Sequence, residues 1–117
     1  KLAAAMNEDA ATKIAARLTE LWRTSRPTIM ERMAILHSAC DSLTRNPLHT
    51  EARAQGLEAA HKLAGVLGVF GLPQGSEIAS AIEFKLKSEE PLTPGDLADF
   101  RDQIADLEAV IASRSEE

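Results

Sequence analysis

His61 is the residue of this chain best suited to act as a nucleophile, and the stretch Ala60-His61-Lys62-Leu63-Ala64-Gly65-Val66-Leu67-Gly68-Val69-Phe70-Gly71 is built around it. A neutral imidazole carries one N–H and one nitrogen with a free lone pair. It can therefore be oriented through one nitrogen while the other takes up an electrophilic group. At about 100° of helical rotation per residue, Ala52, Gly56, Ala59, Leu63, Val66, Leu67 and Phe70 fall within one apolar stripe, and His61 lies almost opposite its centre. The ring is predicted to face water. Gly65 and Gly68 follow on its side of the helix. Each interior glycine costs roughly 1 kcal/mol relative to alanine, so clearance in front of the imidazole is one reason for bare backbone there. Ala54, Leu57, Ala64 and Val69 occupy the same face where an idle surface would carry Lys and Glu. A small, smooth, partly apolar patch around a titratable nucleophile suits a docking partner.

A chain reversal near Leu72 would bring a second helix back beside this one. His61 and Glu83 are equally far from that point in sequence, and at about 1.5 Å of rise per residue both lie about 15 Å from the turn. Glu83 is thus predicted to accept a hydrogen bond from Nδ1–H of His61, leaving Nε2 as the exposed nucleophile. Lys62 offers a cation on the neighbouring sector of the helix, and Lys87 another from the next helix. No pair among His37, His49 and His61 has the three- or four-residue spacing of a simple helical metal site, and no cysteine cluster assists them, so no metal is expected. The lone Cys40 reads as core filler.

Five helices are predicted to hold these residues. The first starts near Asn7 and presents Ala11, Ile14, Leu18, Leu21 and Trp22. Thr24-Ser25-Arg26-Pro27 interrupts it, because proline disfavours helix in the residue before it and suits a new helix start. The cap of the second helix is Thr28, with Glu31 at capping-box spacing, or Ser25. This helix carries the seam Ile29, Met33, Leu36, Cys40 and Leu43 and stops at Asn46-Pro47. The third restarts at Thr50-Glu51 and runs to Gly71, a residue type suited to a helix end. Pro73 and Gly75 leave room only for a short connection, so helices three and four are antiparallel neighbours. The fourth turns Ile78, Ala81, Ile82 and Leu86 inward. The fifth, announced by Thr93-Pro94, has the seam Leu97, Phe100, Ile104, Leu107 and Ile111. The fold class is all-α, an antiparallel up-and-down four-helix bundle with an additional N-terminal helix.

Residues 1–6 read as a leader or disordered N-terminus, 7–114 as one helical bundle and 115–117 as a C-terminal tail where a longer parent protein could have been cut. The 44% hydrophobic content fills one core in 117 residues. A net charge of −5 with no basic block argues against nucleic acid, and no apolar run approaches a bilayer-spanning length. With one cysteine and no visible secretory signal, a cytoplasmic location is expected.

The spacing His61-x-Leu63-x-Gly65, followed by Phe70-Gly71, resembles the phosphoacceptor motif of histidine-containing phosphotransfer (HPt) domains, the intermediates of bacterial multistep phosphorelays. The motif covers roughly residues 50 to 85, and the helical layout carries the likeness elsewhere. The resemblance implies transfer of a phosphoryl group from a phosphoaspartate on a response-regulator receiver domain to Nε2 of His61, and onward to another receiver. It implies that Glu83 orients the imidazole and that Gly65 permits close approach, with Ala54, Leu57, Ala64, Gly68 and Val69 contacting the partner. The family usually has Lys or Arg three residues after the histidine. Here Ala64 stands there, which leaves Lys62 or Lys87 to neutralise the phosphate. The resemblance also implies a phosphocarrier, not an enzyme with its own ATP-binding half, and a monomer. It would have no cofactor of its own, Mg²⁺ being supplied by the receiver, and its partners would be receivers and a hybrid histidine kinase. The alternative is a helical-bundle interaction or dimerisation module whose histidine is incidental.

Overall fold

In the computed structural model the backbone is described for residues 2–115 and the side chains for residues 8–114. Four helices follow in order: α1 (Leu2–Arg45), α2 (Thr50–Val69), α3 (Pro73–Lys87) and α4 (Pro94–Ser115). Among the described residues there is no strand. The all-α bundle is as expected, but the additional N-terminal helix is not a separate element. It is continuous with the second helix as α1, with Pro27 inside.

The physical reason lies in which face the proline occupies. Trp22, Ile29, Met33, Leu36, Cys40 and Leu43 are the buried stripe of α1, and Pro27 falls about 160° away from Ile29, on the solvent side. The missing N–H leaves the carbonyl of Arg23 without its helical donor, yet Arg23, Thr24, Arg26, Pro27 and Thr28 are all exposed, so water can satisfy it. The buried side chains on either side then hold one helix through the defect. At about 1.5 Å per residue a 44-residue helix is about 66 Å long, which accounts for the 62 Å longest extent of a molecule only 22 by 20 Å across.

The expected apolar face of the first helix divides at Trp22. Trp22 is buried, with Phe70 packed edge-on at 5.2 Å and the guanidinium of Arg114 over its ring at 5.6 Å. Ala11, Ile14 and Leu21 are exposed, because α1 here extends past the end of the bundle. The backbone of residues 2–6 forms the first turns of α1, and Lys1, Glu116 and Glu117 lie outside the described residues.

Elsewhere the seams lie as predicted, including all five residues of the α4 seam. Cys40 is buried with its Sγ 3.9 Å from the Leu97 carbonyl, and burial pushes its thiol up. In α3 the inner stripe is Gly75, Ala79, Ile82 and Leu86, with Ile78 half-buried. Ala81, expected inward, is exposed.

The helix ends follow local chemistry. His49 caps α2 by accepting the Ala52 N–H on Nδ1 at 3.1 Å. At the other end Gly71 takes φ +71°, its N–H donates to the Gly68 carbonyl, and Leu72 N–H donates to the Leu67 carbonyl. That pair of bonds is a Schellman motif, whose left-handed residue favours glycine. Helix α4 opens with a reciprocal box. The Asp96 N–H donates to Thr93 Oγ1, and the Thr93 N–H donates to the Asp96 carboxylate.

Replacing Pro27 by alanine should stabilise the fold by about 1–3 kcal/mol, since it restores a helical N–H at an exposed site; urea unfolding followed by circular dichroism measures this. The Thr93 N–H, together with Lys85 at 3.3 Å, holds Asp96 below the usual carboxylate range. The ionised form therefore stabilises the folded state above the unfolded value of about 3.9, and that contribution is lost as pH falls through the folded value. Unfolding free energy should drop below about pH 4, and Asp96→Asn should lessen the drop.

Candidate functional site

The site is assembled by the antiparallel pairing of α2 with α3. Gly71 turns the chain, Pro73 fills the first position of α3, and Gly75 passes close under α2. A Cβ at Gly75 would stand 3.1 Å from Leu67 Cδ1 and from Val110 Cγ1, so this glycine sets how near the helices come. Ser76 Oγ donates to the Ala64 carbonyl at 2.7 Å, fixing the height of α3.

At the far end, Arg53 of α2 donates from Nε to the Leu86 carbonyl at 2.9 Å and from its terminal nitrogen to the carbonyls of Lys85 and Ser88. One guanidinium thereby caps the last turn of α3, where carbonyls lack helical donors and the dipole favours a cation. Sequence reasoning passed over both Arg53 and Ser76. Neither belongs to an apolar stripe or a local capping pattern, and their partners are backbone carbonyls far along the chain.

Between these two ties stand His61 and Glu83. Nδ1 of His61 lies 2.7 Å from Oε2 of Glu83. An ionised carboxylate only accepts, so the proton of this bond is on Nδ1. The His61 side chain is 72% exposed, whereas Glu83 is only 24% exposed. The carboxylate is thus set into the surface while the ring stands out with Nε2 directed away from the bond.

On the same face of α2 the backbone at Gly65 is open. A Cβ placed on Gly65 would meet nothing within 4 Å. Gly68 approaches Ser76, whose Oγ would lie 3.6 Å from an added Cβ, an ordinary contact. The packing of the fold therefore requires glycine at neither position, in contrast to Gly56, whose Cβ would press on Ala39 and Leu86 at 3.1 Å.

Of the other residues, Ala54 and Gly68 are exposed on the outer side of α2, and Leu57 and Ala64 are half-buried toward the core. Val69 is 67% exposed, but it leaves the helix about 80° round from His61 on the side toward α1. Lys62 is engaged elsewhere. Its Nζ donates to Glu58 at 2.7 Å, holding that carboxyl below the usual range, and both line the groove between α1 and α2. Lys87 is exposed and one turn beyond Glu83 on the same side of α3. Among the described residues no three His, Cys, Asp or Glu side chains gather as a metal site, and no helix is long and apolar enough to cross a membrane.

The other two histidines have separate roles. His49 is the cap already described, and His37 Nε2 lies 3.0 Å from Glu108 Oε1, linking α1 to α4. Neither shares the small-residue surroundings of His61.

A model of the Hpt domain family matches residues 20–110, most of the chain and all of the α2–α3 site. The chain belongs to the Hpt domain family. The match begins just before Trp22, so the part of α1 that extends past the bundle precedes it. The chain is also 36% identical over 86 residues to Protein RcaC of Microchaete diplosiphon, an alignment covering 74% of this chain and 13% of that protein. The chain thus spans a small part of the length of that relative. No solved structure gives a significant match. Hpt domains are phosphocarriers rather than kinases. The family is one of histidine phosphotransfer in phosphorelays.

Because the position is open, Gly65→Ala should raise the unfolding free energy by up to roughly 1 kcal/mol. Gly56→Ala and Gly75→Ala, made against contacts at 3.1 Å, should not. Chemical denaturation of the three variants separates the glycines that packing requires from the one it does not.

Proposed function

We propose that His61 is the phosphoacceptor, exchanging a phosphoryl group with the aspartate of response-regulator receiver domains. One observation carries this reading: an exposed imidazole held through Nδ1 by Glu83, with open backbone at Gly65 on its own face.

The chemistry follows from that arrangement. The Nε2 lone pair attacks the phosphorus of an aspartyl phosphate, the N–P bond forms, and the P–O bond to the aspartate breaks to release a carboxylate. Attack by a neutral imidazole leaves positive charge on the ring, and the Glu83 carboxylate stabilises that charge while keeping the ring in place. The reverse sequence passes the group on. Such a transfer depends mainly on positioning and on charge stabilisation. In this reading the receiver supplies Mg²⁺, and the present chain supplies an oriented nucleophile without a cofactor of its own.

The incoming phosphate needs a cation. Lys87 shares the Glu83 side of α3 and suits this role, while Lys62 would first have to leave Glu58. The docking face is the outer surface of α2 around Ala54, Leu57, His61, Ala64, Gly65 and Gly68, with Val69 at its margin and α3 alongside. The reaction asks for no second copy of the chain.

Incubation with phosphorylated receivers and Mg²⁺ tests the proposal. Acid-labile label should appear on the wild-type chain and be absent from His61→Gln. Glu83→Ala should slow transfer roughly tenfold or more through loss of ring orientation, and Glu83→Gln, which keeps an acceptor for Nδ1–H, should lose less. Label that persists in His61→Gln would overturn the assignment, as would a wild-type chain that binds receivers and never acquires label.

A further inference from the structure

Phe84 is 79% exposed, the largest value among the exposed large hydrophobic side chains of the described residues. The buried positions Gly75, Ala79, Ile82 and Leu86 define the inner side of α3, and Phe84 lies about 170° from the centre of that stripe. Its ring therefore stands on the outermost line of the helix. A phenyl group has roughly 150–250 Å² to bury, and the fold buries little of it. Ser80 and Ala81, one turn before it, are small and exposed, so the ring rises from low ground.

Its place relative to the phosphoacceptor gives the ring a meaning. Phe84 directly follows Glu83, whose carboxylate touches His61, so Phe84 and His61 are at nearly the same height on adjacent helices. Packed helices are about 8–10 Å apart. A standard interface buries about 800 Å² on each partner, a patch about 30 Å across if flat. A protein centred on Nε2 of His61 therefore has to cover the outer line of α3. The ring leaves α3 about 100° round from Glu83, away from the imidazole, at the rim of the groove between α3 and α4 that Ala81, Leu92, Asp96 and Gln103 also line, within reach of a protein that spans α2 and α3.

We infer that Phe84 is the apolar anchor by which a phosphorylated receiver domain docks, seating in an apolar hollow beside the receiver's phosphoaspartate, and that it sets which receivers are accepted. This rests on the phosphoacceptor reading of His61. The occupant is the receiver because the geometry ties the ring to the footprint of whatever reaches Nε2. Lys87, the exposed cation on the next turn, faces the acidic, phosphate-bearing centre of the same partner. Phe84 thus acts on recognition and leaves the transfer step to His61 and Glu83.

The test compares the wild-type chain, Phe84→Ala and Phe84→Leu against a panel of phosphorylated receivers, with phosphoramidate as a small phosphodonor that needs no docking. For the receiver that labels the wild-type chain fastest, Phe84→Ala should lower kcat/KM about tenfold or more, through KM, with kcat within about twofold. Phe84→Leu should recover part of the loss. Phosphoramidate labelling, helical content and melting temperature should be unchanged. Equal kcat/KM in wild type and Phe84→Ala would overturn this inference alone, as would a loss confined to kcat. A wild-type chain that takes label from no receiver would overturn the phosphoacceptor reading and this inference with it.

Discussion

The registration of α3 against α2 is the constraint on which the site depends. A slip of one residue moves a side chain by about 1.5 Å along the axis and about 100° around it, enough to break a hydrogen bond of 2.7 Å between His61 and Glu83. The register is fixed from both ends. Gly71 and Gly75 set the turn and the depth of contact, Ser76 ties α3 to the Ala64 carbonyl, and Arg53 caps the final turn of α3. The bonded pair is small, and it lies between ties at both ends of the α2–α3 pairing.

Much of this was legible in the amino-acid order because it follows from periodicity and punctuation. The stripe through Ala52, Leu63 and Leu67 predicted which way His61 points, and the equal distances of His61 and Glu83 from Leu72 predicted that they meet. Thr93-Pro94-Gly95-Asp96 marked the start of α4, where Thr93 and Asp96 exchange hydrogen bonds. These signals are local, or depend on one short turn whose length leaves a single antiparallel pairing.

Other features escaped for reasons equally physical. Pro27 reads as a helix boundary, but a proline on the solvent face costs one hydrated carbonyl, while the buried residues Trp22 and Ile29 keep the helix continuous across it. Lys62 is adjacent to His61 in sequence yet pairs with Glu58, because neighbours four apart face each other and neighbours one apart do not. Arg53 has no sequence signature as a clamp, since its partners are backbone carbonyls more than 30 residues away. Glycines look alike in a sequence. Only the surroundings of Gly56, Gly65 and Gly75 distinguish those that admit a neighbouring side chain from the one that opens on space.

Trp22 has a different kind of consequence. It is the sole tryptophan of a chain without tyrosine, and it is buried where α1 leaves the bundle, edge-on to Phe70 at the end of α2 and beneath the Arg114 guanidinium. Ultraviolet emission from this molecule therefore originates almost wholly from a single indole at a single junction. A spectroscopist has a built-in reporter of whether the α2–α3 turn is seated on the long helix, with no label attached and none needed near the imidazole.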